Sequence, residues 1–368
     1  MRGDPVTLFL CGDVMLGRGV DQILPHPGDP ALREPYVRDA RAYVELAEAV
    51  NGPIPRPVGF SWPWGEALRV LDEAAPDARV LNLETGVTRS DGFAPGKGIH
   101  YRMNPANLPC LAAVRPDVCV LANNHVLDFG RAGLEETLDA LAQAGLATAG
   151  AGRNATRARR PAVVPLGTGR RVLVLALGLP SSGIPPGWAA TAGRAGVEVV
   201  TGPPEAAADA VAERVRQVKR PGDVAVVSLH WGPNWGYEVS DEEVRFAHAL
   251  VDGGADVVHG HSSHHPRPLE AYRGRLVLYG CGDLVNDYEG IPGYERYRDD
   301  LRLLYLVRLE PGGRLAGVRM VPFQARRMRL RRAPEEDSRW LRAVLDRACR
   351  GLGSRVEREP DGALALRW

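Results

Sequence analysis

The feature that most constrains this chain is a repeated pattern in which a short apolar run ends at once in carboxylate, amide or imidazole side chains. It occurs as Cys11-Gly12-Asp13, as Asn82-Leu83-Glu84, as Asn123-Asn124-His125 with Asp128 one turn on, and as His230-Trp231-Gly232. It recurs as His259-Gly260-His261-Ser262-Ser263-His264-His265 and as Cys281-Gly282-Asp283. Short apolar runs bounded by turn residues read as buried strands, and helix-patterned segments lie between them. Such alternation predicts an α/β protein. Ligands of open α/β sheets bind outside the carboxyl ends of the strands, so six ends carrying polar groups predict one shared site there.

Each member has a bland explanation when taken alone. An Asp after a strand is usually a turn residue or a helix cap, Asn123 and Asn124 could cap the next helix, and His230 could be a satisfied core histidine. The histidines resist this, because four of the nine lie between His259 and His265. Together the ends predict a metal or acid–base site. Carboxylate, amide and imidazole without thiolate suit Mn²⁺, Fe²⁺, Zn²⁺, Ca²⁺ or Mg²⁺. The five cysteines, at 11, 110, 119, 281 and 349, form neither a disulfide framework nor a C-x-x-C pair, and Cys11 and Cys281 read as small buried residues.

The predicted elements follow in order. Strands are expected at Thr7–Cys11, Arg79–Leu83, Asp117–Leu121, Arg171–Leu177, Val224–Leu229 and Ala255–Val258, and a hairpin at Leu269–Tyr279 turning at Arg273-Gly274. Helices are expected over Gly65–Ala75, Asn107–Val114, Glu205–Lys219 and Asp337–Arg350, with a capping box at Ser240 and Glu243. Residues 1–323 read as one catalytic domain in which the Pro- and Gly-rich stretch 25–63 is a rim insertion, and residues 324–368 as a C-terminal helical extension. A formal net charge of +1 argues against a nucleic-acid or membrane-surface binder, and no apolar stretch approaches the ~20 residues of a membrane span. The start, Met-Arg-Gly-Asp-Pro, has no signal pattern, so the expected location is cytoplasmic.

The motifs Gly12-Asp13-Val14-Met15-Leu16-Gly17-Arg18, Asn82-Leu83-Glu84, Ala122-Asn123-Asn124-His125, Ser228-Leu229-His230-Trp231-Gly232 and Gly260-His261 through His264 resemble, in this order, the CapA/PgsA-type family. That family is named for poly-γ-glutamate capsule synthesis and belongs to the calcineurin-like metallophosphatase superfamily. The resemblance implies a layered β-sandwich flanked by helices, with metal ligands at Asp13, Glu84, Asn124, His230, His261 and His264. It also implies an acid–base role for His125, with Asp128 orienting it. The chain departs from the family pattern in three places. No Asp-x-His stands at the first strand, Ser262-Ser263 replaces His-Pro, and Gly280-Cys281-Gly282-Asp283-Leu284 replaces Ser-Leu-Gly-Asn-Phe. These departures favour one divalent ion over two, and no organic cofactor is expected.

Three reactions fit such a site. Phosphoester hydrolysis asks for two ions. Amide hydrolysis on a polyglutamyl or peptide substrate asks for a polarised carbonyl and an attacking water. Epimerisation at a Cα asks for an acid and a base on opposite faces, which His125 with Asp128 and His261 or His264 with Asp283 or Asp13 would supply. A peptide substrate, with epimerisation ahead of hydrolysis as in lasso-peptide maturation, is the preferred reading. The non-enzyme alternative is a polyanion binder using the cluster Arg326–Arg332, and Trp62, Trp64, Trp231 and Trp235 are candidate pocket aromatics.

Overall fold

The computed structural model describes residues 4–368 apart from 168, 201 and 203; the opening Met1-Arg2-Gly3 of the sequence therefore lies outside the described residues. Two mixed sheets form the centre. In the larger, strands run in the order Arg355–Arg358, Leu364–Arg367, Leu315–Ala325, Leu301–Leu309, Val6–Val14, Ala78–Leu83, Val118–Val120 and Ala147–Ala149, with Asp283–Val285 and Leu330–Arg332 paired off this path. In the smaller the order is Leu269–Tyr272, Arg275–Leu278, Val257–His261, Val224–His230, Arg171–Gly178 and Ala162–Pro165.

The central strands of both sheets are parallel, as in Val6–Val14 beside Ala78–Leu83 and Val224–His230 beside Val257–His261. Parallel strands are buried on both faces, which is why they read as unbroken apolar runs. Alternate residues point to opposite faces. Leu8, Leu10, Val80 and Val120 of the first sheet meet Val172, Val174, Val226 and Val257 of the second in one inter-sheet core. The opposite face of the first sheet, with Phe9, Leu81 and Leu121, packs on helices through Val44, Leu71, Leu111 and Leu134. The outer face of the second, with Leu175, Val227 and Leu229, packs on Val211 and Val215 of helix Pro204–Val218 and on Phe246 and Leu250 of helix Asp241–Asp252. The layered α/β sandwich with flanking helices is therefore the fold.

Local expectations are met where the chemistry is local. Ser240 Oγ accepts from Glu243 N at 3.2 Å while Glu243 Oε2 accepts from Ser240 N at 2.8 Å, a reciprocal cap. Leu269–Tyr272 and Arg275–Leu278 form the antiparallel hairpin at Arg273-Gly274. Two expectations need correction. The first strand does not end at Cys11: it continues through Gly12 to Val14, with a register shift against Ala78–Leu83 between Cys11 and Asp13. The segment beyond 323 is not helix alone. Its helix, Glu335–Cys349, places Leu341, Leu345 and Cys349 in the inter-sheet core, and its strands extend the larger sheet. Strand Leu315–Ala325 crosses the expected boundary, because antiparallel pairing with Leu301–Leu309 runs through residue 324. Among the described residues no helix is long and apolar enough to cross a membrane.

Candidate active site

The carboxyl ends of the parallel strands in both sheets meet at one edge, and the site is built there. Asp13 and Asp283 are register partners on adjacent parallel strands, brought together because Gly12 and Gly282 let the backbones approach; the Asp13 amide donates to Gly282 O at 3.2 Å. Both carboxylates are buried. Asn82, one strand over, donates to Asp13 Oδ1 at 2.7 Å and to Glu84 Oε2 at 3.3 Å. Asn123 donates to Asn82 Oδ1 at 3.0 Å, and its own Oδ1 accepts from the amides of His125 and Val126. Asn123 thus caps the turn that presents Asn124 and His125, the structural role that an Asn after a strand usually has.

From the second sheet, His230 and His261 are partners on parallel strands, with their Nδ1 atoms 2.9 Å apart. His261 Nδ1 lies 3.7 Å from Asp13 Oδ1, and His261 Nε2 is bonded to Ser228 Oγ at 2.9 Å. His230 Nε2 contacts Asn124 Oδ1 at 3.0 Å and approaches Glu84 Oε1 at 3.6 Å. His264 Nδ1 faces Asp283 Oδ1 at 3.1 Å, and Asn286 donates to Asp283 Oδ2 at 2.6 Å. Ser262, between the two histidines, holds φ at 105°, and its amide donates to Asp13 Oδ2 at 3.1 Å. A non-glycine residue in that region is strained, and such strain persists where the surroundings over-determine it.

His125 Nδ1 lies 2.6 Å from Asp128 Oδ2, which also accepts from the Tyr101 amide at 2.7 Å. Lys97 reaches this pair from a loop: its Nζ donates to Asp128 Oδ1 and to Asn124 O, and lies 2.9 Å from His125 Nδ1. Since Asp128 takes the Nδ1 proton, His125 Nε2 is the free nitrogen, 3.8 Å from Glu84 Oε1. Glu84, Lys97, Asn124, His125, Ser262 and His264 line one cavity of about 240 Å³, with Tyr288 and Asn234 completing its wall.

Burial sets the protonation states. Asp13 is pushed up to about 7 by burial and then by the neighbouring Asp283 charge, and Glu84 is raised by burial and by Asp13. His125 is pushed down to about 4 by burial, which outweighs Asp128, and is neutral at pH 7. Burial also holds His230 and His261 below the ordinary imidazole range. Burial works against His264 as well, but the Asp283 carboxylate outweighs it and raises the group.

The residues fit a divalent cation. Three buried carboxylates, Asp13, Glu84 and Asp283, gather with no lysine or arginine ion-paired to any of them among the described residues. Uncompensated buried charge of this kind is costly, and a bound cation reverses the cost. Ligand atoms of Asp13, His230 and His261 lie within 4.8 Å of one another, and so do those of Asp13, His264 and Asp283. The two groups share Asp13.

All nine residues singled out from sequence as catalytic or metal-binding are at this edge. His259 and His265 are not free for chemistry: His259 bonds Ser228 Oγ and Cys11 O, and His265 stacks on Tyr297 and accepts from the Gly236 amide. Trp64 and Trp231 are core residues, whereas Trp235 stands 5.3 Å from the His264 ring, centroid to centroid. Sequence reasoning missed Lys97, Asn286 and Tyr288. Lys97 sits in a polar loop with no motif around it, and only the fold brings it 31 residues along the chain to Asp128.

The family profile described as bacterial capsule synthesis protein PGA_cap matches residues 7–288. A protein of Mycobacterium tuberculosis described as a probable polyglutamine synthesis accessory protein is 55% identical over 370 residues, covering 100% of this chain and 97% of its own length. The PGA biosynthesis protein CapA of Bacillus subtilis is 28% identical over 84% of this chain and 70% of its own. Among solved structures, a 5'-nucleotidase precursor from Thermus thermophilus superposes with a TM-score of 0.47 at 18% identity, covering 87% of this chain and 54% of that one.

Proposed function

The chain belongs to the bacterial capsule synthesis protein family, and from that membership and the site's geometry we propose a metal-dependent enzyme that hydrolyses an amide bond of a polyglutamyl chain. The observation that carries the reading is the pairing of His125 with Asp128 beside the converging ligand groups. His125 Nδ1 is held by Asp128 at 2.6 Å, and its free Nε2 faces the edge where Asp13, His230 and His261 converge.

Asp13, His230 and His261 would hold the ion, whose contribution is Lewis-acid polarisation of the scissile carbonyl. Asn124 accepts from His230 and orients its ring, the outer partner that ligating histidines require. His125 takes a proton at Nε2 from the attacking water and returns it to the departing amine nitrogen. Asp128 holds the tautomer and stabilises the imidazolium between those steps, while Lys97 keeps Asp128 ionised and in place. Glutamyl carbonyl and amine fit a cavity of about 240 Å³ only as a segment of chain, the remainder lying outside it.

The test is amine release from poly-γ-glutamate, poly-α-glutamate and a phosphoester control, with Mn²⁺, Zn²⁺ or Ca²⁺ added to purified protein. Release from a polyglutamate that disappears in His125→Ala and Asp13→Asn is the expected result; release from the phosphoester alone would refute the substrate class. Epimerisation at a Cα is a second reading, favoured by one observation: His264, held by Asp283, lines the same cavity as His125, held by Asp128. It predicts deuterium uptake from D₂O at one Cα without cleavage, and its absence from every glutamyl substrate tried would end it.

A further inference from the structure

Four arginines of one tight reversal, Arg326, Arg327 and Arg329 on the turn and Arg331 in the strand Leu330–Arg332 that follows it, are in no ion pair among the described residues. Elsewhere this chain pairs its arginines freely, as in Arg18 with Asp287, Arg171 with Asp223 and Arg298 with Asp300. The turn is held rigidly. Glu289 accepts the amides of Arg327 and Met328 at 2.7 and 2.8 Å, and the Leu330 amide donates to Pro63 O at 3.0 Å. The guanidinium carbons of Arg327 and Arg329 lie 5.9 and 4.8 Å from the Trp62 ring centroid, so one indole of the rim segment orders both.

The turn is also next to the candidate active site. Beside Arg326 opens a cavity of about 270 Å³ whose wall includes Arg302 and Tyr288, and Tyr288 is also a wall of the active-site cavity. Two of the carboxylates around it are engaged. Glu289 holds the turn and Asp300 accepts from Arg298 at 2.8 Å and from Gln324 at 2.8 Å, while burial raises the carboxyl of Asp299, the remaining acid of the wall, and Arg302 bonds only its backbone carbonyl. What remains is a cluster of unpaired guanidiniums, of which Arg326 shares the cavity wall with Tyr288 and Arg327 and Arg329 are ordered on Trp62.

We propose that the arginine turn at 326–331 and the cavity beside it bind the carboxylates of an extended polycarboxylate chain whose reacting unit lies in the active site. Planar guanidinium forks match carboxylates, and holding the donors in advance lowers the ordering cost of binding. Successive carboxylates along an acidic chain would meet successive arginines. A nucleic acid is the poorer match, since Trp62 is covered by guanidiniums and is not free to stack on a base.

This rests on the polyglutamyl reading above, and the experiment separates the two. Full-length protein is titrated against fluorescein-labelled polyglutamate by anisotropy at low and moderate salt. Wild type is expected to bind with an affinity that falls as salt rises. The triple variant Arg327→Ser/Arg329→Ser/Arg331→Ser is expected to lose roughly tenfold, three partly exposed charge contacts' worth. Wild type that binds polyglutamate in this salt-dependent way but releases no amine from it refutes only the catalytic reading. Unchanged binding by the triple variant, no binding of polyglutamate by wild type, or tighter binding of single-stranded DNA or anionic vesicles would overturn the proposal.

Discussion

Gly12→Ala is the sharpest perturbation of this site that leaves every polar residue in place. A Cβ built on Gly12 falls 2.0 Å from Gly282 O, 3.0 Å from Gly282 C and 3.1 Å from Cys281 Cβ. A relaxed carbon–oxygen contact is about 3.3 Å, so the two backbones must separate by roughly 1.3 Å. That separation acts directly on Asp13 and Asp283, which are register partners one residue further on. Overpacking of this kind costs about 1–3 kcal/mol of stability. Ligand–metal distances tolerate only ~0.2 Å, and a displacement near 1 Å costs on the order of 100-fold in a positioned site. Urea unfolding and calorimetric titration with Mn²⁺ measure the two effects separately. Gly317→Ala is the matched control, since nothing lies within 4 Å of a Cβ there. A Gly12→Ala protein with wild-type Mn²⁺ affinity and stability within ~0.5 kcal/mol of the control would refute the close approach as the device that sets the site.

Two further outcomes follow from buried charge. Lys97→Met removes the ammonium bonded to Asp128 and Asn124, leaving a buried carboxylate with His125 and one amide; unfolding in urea should show a loss of about 3 kcal/mol, and a neutral result would mean that Asp128 is satisfied without it. Asp346 accepts from Arg355 at 2.7 Å, from Arg350 at 2.8 Å and from the Val356 amide at 3.1 Å, and these bonds, Arg355 foremost, hold its carboxyl well below the usual Asp range. A lowered folded-state pKa stabilises above the unfolded value, near 3.9, and that contribution disappears as pH falls through the folded value. The melting-temperature gap between wild type and Asp346→Asn should therefore be constant above about pH 5 and shrink below about pH 4. A gap that grew on acidification would contradict this.

Much of the site was legible because strand ends carry their own signature. Asp13, Glu84, Asn124, His230 and His261 each follow an apolar run, and the end of a parallel strand has one place to go. The Ser240–Glu243 cap was legible for the same local reason: both partners lie within one helical turn. The first strand was expected to stop at Cys11 because glycine usually breaks a strand. Here Gly12 keeps the strand intact while shifting its register, and the reason is the carbonyl of Gly282, 270 residues away. Lys97, in a polar loop, had no pattern to betray it.

Sequence alone determined which side chains were available, that they sit at strand ends, and that the donor set lacks thiolate. These are properties of periodicity and residue type, which are local. Tertiary structure decided which of them meet. It placed His264 on Asp283 and His261 beside Asp13, gave His259 and His265 to the scaffold, and joined the segment beyond 323 to the central sheet. Burial decided the protonation states as well, since a carboxyl near 7 and an imidazole near 4 follow from exclusion of water at the meeting of two sheets. Neither the meeting nor the dryness is encoded at any one position.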